Sequence, residues 1–192
     1  MMSEEANQET NEERRARIYP VILCEYNPVW PEWFSKEKEE LEKLLNPKDI
    51  VRIIHFGSTS VPGLVAKPTI DILLEISETA DLDELIAAMS TPDYFYLDES
   101  TLTMPTSPPH LVFLKGYLTG GFAEKVFHIH VRYPNDWDEL YFRDYLIANP
   151  KAAAEYASLK RRLHQSYERD RDGYTAAKTE FVHSIVEKAR RR

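Results

Sequence analysis

An acid set inside an apolar strand is the first residue of this chain that invites chemistry. Asp71 lies in Thr69–Ile76, where Ile70, Ile72, Leu74 and Ile76 share one face and Asp71, Leu73 and Glu75 the other. A carboxylate among isoleucines is costly to bury unless it is paired or bound to metal. Ahead of it stands a small-residue turn, Gly57-Ser58-Thr59-Ser60-Val61-Pro62-Gly63, entered from the apolar run Ile53–Phe56. Its glycines let backbone approach a ligand closely, and its N–H groups and hydroxyls suit phosphate oxygens. The turn is not a Walker loop, because the Gly-x-x-x-x-Gly-Lys-Ser/Thr pattern fails after the first glycine. Nor is it a hydrolase nucleophile elbow, since neither glycine brackets a serine at the required spacing. A plain structural turn is the alternative on residues alone.

The second feature is a pair of histidines. In Val126–Tyr133, Phe127, Ile129 and Val131 alternate with His128, His130 and Arg132. Histidines two apart on a strand share a face with Cα atoms about 6.6 Å apart, a span that two imidazoles bridge onto one ion. If this strand neighbours that of Asp71, one open face presents Asp71, His128, His130 and Arg132 together. An Asp/His/His set suits zinc or manganese better than the magnesium of a two-carboxylate site. The alternative is a polar groove in which the histidines hydrogen-bond Asp71 without metal. Glu75 stands roughly 13 Å from Asp71 along the strand, too far to share an ion. We expect it to be solvated or paired with a lysine.

The elements that must position these groups follow from periodicity. Residues 1–17 are polar and charged without an aromatic, which predicts a disordered lead-in. Residues 18–192 read as a single domain. Tyr19–Cys24 is a candidate strand, and Trp30 opens a helix to about Leu45, ended by Asn46-Pro47. Strands are predicted over Ile50–Phe56, Thr69–Ile76, Leu111–Leu114 and Val126–Tyr133. A short helix over Asp81–Met89 takes Asp81 as its cap. Tyr94-Phe95-Tyr96 begins a further section with a proline-rich stretch, Met104–Pro109, and Gly116–Gly121 reads as a turn. From residue 136 the chain is helical, over about 136–148, 151–168 and 173–190. Strands first and helices last predict an α+β fold, a mixed sheet with flanking helices and a C-terminal helical set over 136–192.

Bulk properties set the boundaries. The net charge of −8 over 192 residues argues against a nucleic-acid surface. The single cysteine, Cys24, forms no internal disulfide, and no run approaches a membrane span, so a cytoplasmic protein is expected. On the predicted helices, Tyr156 and Lys160 are four apart, as are Tyr174 and Lys178, giving two joint surfaces. Together with Arg143 and with Lys67, directly before Pro68, they suit a nucleotide phosphate or an acidic substrate. Solvated charge on amphipathic helices is the alternative.

The Gly-Ser turn followed by an acid in an apolar strand resembles the nucleotidyltransferase superfamily. The closer resemblance is to the GrpB family within it, also found fused to dephospho-CoA kinase. It rests on His55-Phe56-Gly57-Ser58-Thr59-Ser60-Val61-Pro62-Gly63-Leu64 with Ala66-Lys67-Pro68-x-Ile70-Asp71-Ile72. It extends to Tyr26-x-Pro28-x-Trp30, His128-x-His130-Val131, Phe142-Arg143-Asp144-Tyr145-Leu146, Pro150, Tyr156, Leu159-Lys160, Tyr174 and Lys178. The resemblance implies a nucleotidyltransferase-like fold and binding of a nucleoside triphosphate with a divalent metal (magnesium, manganese or zinc). It further implies transfer of a nucleotidyl group to an unknown acceptor, a small molecule or a protein. Asp71 would be the catalytic and metal-binding acid, joined by His128 and His130. Gly57, Ser58, Thr59, Ser60, Lys67, Arg143, Lys160, Tyr174 and Lys178 would take the phosphates. One departure stands out: the superfamily's second acid, two residues after the first, is here Leu73. That departure keeps two other readings open: a non-catalytic binding or folding accessory related to coenzyme A biosynthesis, or a metal-dependent hydrolase.

Overall fold

The structure, a computed structural model, describes residues 10–97 and 110–191. Its frame is a five-stranded mixed sheet in the order β1-β2-β5-β4-β3. The strands are β1 (Ile50–Phe56), β2 (Thr69–Ile76), β3 (Tyr94–Leu97), β4 (His110–Leu118) and β5 (Gly121–Arg132). β1 and β2 are antiparallel, β2 and β5 parallel, and β4 is antiparallel to both β5 and β3. The helices are α1 (Asn11–Ile18), α2 (Trp30–Leu44), α3 (Leu82–Met89), α4 (Asp138–Ala148), α5 (Pro150–Tyr167), α6 (Arg171–Ala176) and α7 (Thr179–Arg190). The expected α+β class with a C-terminal helical set is what the chain forms.

Alternation in the strands decides where the core lies. Ile70, Ile72, Leu74 and Ile76 of β2 join Phe127, Ile129 and Val131 of β5 and Leu111 and Phe113 of β4 on one face. α2 and α3 cover that face with Trp30, Leu41, Leu85 and Met89. Glu37 also sits on the buried stripe of α2, yet it is not stranded there. Lys115 donates to both of its carboxylate oxygens at 3.0 and 2.8 Å, and the Tyr94 hydroxyl donates at 2.5 Å. A second cluster joins the helical set to the segment after the small-residue turn: Val61, Leu64 and Val65 pack with Leu146, Tyr156, Ala157 and Ile185. The turn is therefore clamped between two cores, which fixes it relative to β2.

Four expectations change. Tyr19–Cys24 forms no strand; only Cys24 makes a bridge, to Ala66. The backbone of Val21 is engaged elsewhere, its N–H on the Glu168 carbonyl and its carbonyl on His164 Nε2. The turn expected over Gly116–Gly121 is confined to Thr119-Gly120, because β4 continues through Gly116 to Leu118 and pairs with β5 from Gly121. Gly116 marks a bulge at φ 86°, and a Cβ there would lie 2.1 Å from the Lys125 carbonyl oxygen. The helix expected over 173–190 is two, α6 and α7, separated at Ala177-Lys178; Asp170 caps α6 by accepting from the Gly173 N–H. Finally, the described part of the expected lead-in contains α1, opened by a reciprocal cap in which Thr10 and Glu13 accept from each other's backbone N–H. The rest of that lead-in, 1–9, and the proline-rich stretch 104–109 lie outside the described residues. Among the described residues, no helix is long and apolar enough to cross a membrane.

Candidate active site

β2 and β5 lie side by side in a register that sets Asp71 opposite His128 and Leu73 opposite His130. The condition left open by the sequence is thus met, and the face that α2 and α3 leave free carries all three polar groups. One ligand atom from each of Asp71, His128 and His130 lies within 4.8 Å of the others. His128 Nδ1 stands 3.3 Å from Asp71 Oδ1. Burial would raise the Asp71 carboxyl, but the hydrogen bond from His128 and the charges of His128, His130 and Lys67 outweigh it and hold it below its ordinary range. Burial pushes His130 down to about 3, so its ring is neutral at physiological pH, the state a metal ligand requires. Its Nδ1 is buried without a hydrogen-bond partner among the described residues. A donor atom left over in this way fits an absent ligand.

Gly57 explains why the turn and the acid belong together. Its φ is 71°, a conformation that glycine adopts freely, and a Cβ there would lie 2.2 Å from Asp71 Oδ2. Any side chain at position 57 would strike the carboxylate. The hydroxyls of the turn are less available than the sequence suggests. Thr59 donates to the Thr69 carbonyl at 3.0 Å and meets His55 Nε2 at 3.0 Å. Ser60 donates to the Gly57 carbonyl at 2.6 Å, and Ser58 hydrogen-bonds the Tyr156 hydroxyl. These bonds fold the turn and tie it to β2 and α5.

The helical set brings lysines toward Asp71. Lys160 of α5 is 2% exposed, and its Nζ has no hydrogen-bond partner among the described residues. The amine stands 4.6 Å from the centre of the Tyr156 ring, while that of Lys178 stands 4.3 Å from the centre of the Tyr174 ring. Burial, then the charges of Lys178, Lys67 and Arg161, pushes Lys160 down to about 6 against the opposing pull of Asp71. Burial and Lys67 lower Lys178 to about 8. Lys67, half-buried, is lowered as well, by burial and by Arg171. Tyr174 and Lys178 are not on one helix as expected: Tyr174 lies within α6 and Lys178 is the N-cap of α7, yet the amine still stands over the ring.

Other expected residues sit apart from this cluster. Arg143 donates to the His55 carbonyl at 2.9 Å and pairs with Asp144 at 2.7 Å, holding α4 against β1. Arg132 leaves the open face for Glu139 at 2.9 Å and the Trp137 ring at 4.6 Å. Glu75 is neither solvated nor lysine-paired. It is fully buried and accepts from both Arg52 and the Trp137 indole N–H.

Two residues were missed. The Tyr117 hydroxyl lies 2.8 Å from His128 Nε2, and Arg171 Nη2 donates to that hydroxyl at 3.1 Å. A run from Arg171 through Tyr117 and His128 to Asp71 fixes the imidazole. A metal held on Nδ1 would require the proton on Nε2, and the Tyr117 hydroxyl is free to accept it. The signal was Gly116: a glycine inside an apolar strand marks a bulge as readily as a turn, and the bulge re-aims the next side chain.

Comparison with known proteins gives the family of the chain. The family model described as GrpB protein matches residues 20–188. The Glutamate-rich protein GrpB of Alkalihalophilus pseudofirmus is 34% identical over 86% of this chain and 94% of its own length. UPF0157 protein YqkA of Bacillus subtilis is 32% identical over 91% of this chain, which spans about half (49%) of that protein. A dephospho-CoA kinase of Mycolicibacterium paratuberculosis is 28% identical over 88% of the chain and 46% of its own length. Among solved structures, conserved protein GrpB from Enterococcus faecalis superposes with a TM-score of 0.73 at 32% identity, covering 88% of this chain and 96% of that one. The chain belongs to the GrpB family.

Proposed function

We propose that the protein binds a nucleoside triphosphate together with a divalent metal and transfers a nucleotidyl group to an acceptor, in the cytoplasm. The observation that carries this reading is the convergence of Asp71, His128 and His130 within 4.8 Å, against a Gly-Ser turn that admits no side chain at position 57. Asp71, His128 and His130 are the residues that would hold the metal. Bound there, it would supply Lewis-acid polarisation of a phosphoryl oxygen. The turn brings its backbone beside the carboxylate, where phosphates can approach closely. Lys67, Lys160 and Lys178 lie near enough to Asp71 to feel its charge, and they would neutralise the negative charge that develops on the leaving phosphates. The Tyr117 hydroxyl holds the His128 ring in place.

A non-catalytic accessory role has one observation in its favour. Leu73 occupies the position of the usual second acid and is 2% exposed. The similarity to a dephospho-CoA kinase gives such a module a setting in coenzyme A synthesis.

A thermal-shift screen separates the readings. ATP, GTP, CTP and UTP are each tested with magnesium, manganese, zinc or chelator, on the unaltered chain and on Asp71→Asn. Ligand at 100 times its dissociation constant adds about 2.7 kcal/mol, or roughly 5–10 °C for a domain of this size. The expected result is a metal-dependent rise that Asp71→Asn loses. No rise with any nucleotide at millimolar concentration would sink the nucleotide reading and leave the accessory role ahead.

A further inference from the structure

Three lysines gather around the inner end of the helical set with little to balance them. Lys160 is enclosed on α5, and its amine has no hydrogen-bond partner among the described residues. An ammonium taken out of water without a counter-charge is costly, and the face of the Tyr156 ring offsets only part of that cost. Lys178 lies over the Tyr174 ring in the same manner, and Lys67 enters from the linker before β2. Each of Lys67, Lys160 and Lys178 feels the Asp71 carboxylate, and Lys67 bears on both of the others. Like charges held together in a low-dielectric interior repel unless an anion sits among them.

The second observation is independent of charge. Tyr174 is 1% exposed, and its hydroxyl also has no hydrogen-bond partner among the described residues. A buried donor so left is rare in a folded protein. It belongs to the same group as the orphaned amine, since Tyr174 carries Lys178 on its ring and Tyr156 feels the Tyr174 hydroxyl electrostatically. Asp71 is not the missing acceptor, since neither the Lys160 amine nor the Tyr174 hydroxyl comes within hydrogen-bond distance of it. The turn is no substitute receptor either, with the Thr59 and Ser60 hydroxyls donated into its own fold and to β2.

We propose that Lys67, Lys160, Lys178 and the Tyr174 hydroxyl form a receptor for a condensed phosphate, which binds there without divalent metal. The chemistry of the cage selects the class. All four groups can donate, Lys67 and Lys178 carry positive charge, and an anion seated among them would draw a proton onto Lys160 as well. A condensed phosphate offers only acceptor oxygens and multiple negative charges, whereas a carboxylate brings one charge and two oxygens. The proposal deepens the phosphate half of the nucleotide reading and shifts recognition from the turn to the helices. It shares residues with that reading but not its metal.

Isothermal titration calorimetry on the full chain tests it in the presence of chelator. Inorganic pyrophosphate, tripolyphosphate and ATP are titrated into the unaltered protein, Lys160→Met, Lys178→Met, Lys67→Met and Asp71→Asn. Pyrophosphate and tripolyphosphate are expected to bind, at least tenfold more weakly to each lysine variant and no more weakly to Asp71→Asn. Binding of ATP tenfold or more above tripolyphosphate would assign the phosphate to a nucleotide; equal affinities would assign it to the inorganic anion. If Lys160→Met fails to fold, Lys178→Met and Lys67→Met carry the same comparison. Absence of pyrophosphate and tripolyphosphate binding at millimolar concentration would overturn the receptor, as would binding that no lysine substitution weakens. Nucleotide binding that needs metal and ignores the lysines would overturn it too, yet leave the nucleotide reading intact. Metal-free pyrophosphate binding by a chain that takes up no metal has the opposite effect.

Discussion

The open face of the sheet has two ends, and they treat buried charge in opposite ways. At one end Glu75, fully buried, is answered by Arg52 and by the Trp137 indole, and Arg132 reaches Glu139, although its Nε has no hydrogen-bond partner among the described residues. At the other end Asp71 meets two histidines, while His130 Nδ1, Lys160 Nζ and the Tyr174 hydroxyl are left without partners. Both acids stand on one face of one strand, four residues apart. Burial would raise both carboxyls, and neighbouring donors lower both. What differs is how many polar atoms at each end are left over, the Arg132 Nε at the first and three side chains at the second. The Glu75 carboxylate is complete as it stands and holds α4 to the sheet. The Asp71 end is complete only with something added, which is what a binding site requires.

Breaking the closed end is expected to have the largest effect. Glu75→Ala removes the acceptor of the Trp137 N–H and the partner of Arg52, and it leaves a void under α4. Loss of one member of a buried, hydrogen-bonded pair is expected to cost about 2–4 kcal/mol. Chemical denaturation of Glu75→Ala beside Asp71→Asn measures the contrast directly. A destabilisation of Glu75→Ala no greater than that of Asp71→Asn would erase the distinction between the ends.

The contrast also sorts what could be read beforehand. β1 and β2 were legible to their end residues because each is a short apolar run bounded by turn residues, Pro47 and Gly57 for the first and Pro68 and Ser77 for the second. The Asp71, His128 and His130 set was legible only as a condition. The parallel pairing of β2 with β5 is long-range, and nothing local in either strand dictates it. Glu75 was misread because its partners come from β1 and from the loop before α4, neither of which the spacing on β2 reveals. Tyr117 was hidden by reading Gly116 as a turn. The lysine cage was visible as spacing on two helices, but its enclosure was not. The chain breaks at Ala177-Lys178, a break that the even spacing of Tyr174 and Lys178 does not announce.

A smaller effect is expected where the open end is supported from outside. Tyr117→Phe deletes the hydroxyl between Arg171 and His128 and leaves the ring packed against Tyr19 and Phe122. The fold should change by less than about 1 kcal/mol, since Arg171 and His128 both reach solvent-accessible surroundings. Affinity for zinc or manganese should fall about 10- to 100-fold, the usual consequence of removing the partner of a ligating histidine. Calorimetric metal titration of the two proteins reads this out. Unchanged affinity in Tyr117→Phe would show that the run from Arg171 to Asp71 does not orient the site.

The effect most specific to the open end is a dependence of stability on pH. Lys160 has a pKa of about 6 in the folded chain, and an unfolded lysine has one near 10.4. Between these values the unfolded chain carries a proton at this position that the folded chain does not. The unfolded state thus binds more protons, so stability rises with pH across that window and the gain is lost as pH falls toward 6. A single group contributes a slope of at most about 1.4 kcal/mol per pH unit, and other titrations will overlay it. The difference between two proteins isolates it. Lys160→Met keeps the length and apolar body of the side chain but has no proton to gain, so its slope should be shallower than that of the unaltered chain between pH 7 and 9. At pH 7 it should also be the more stable of the two, because a thioether does not suffer from the missing acceptor. Urea denaturation at pH 7, 8 and 9 gives both quantities. Parallel slopes would mean that the Lys160 amine is charged and satisfied in the folded protein, and the open end would then be as closed as the end around Glu75.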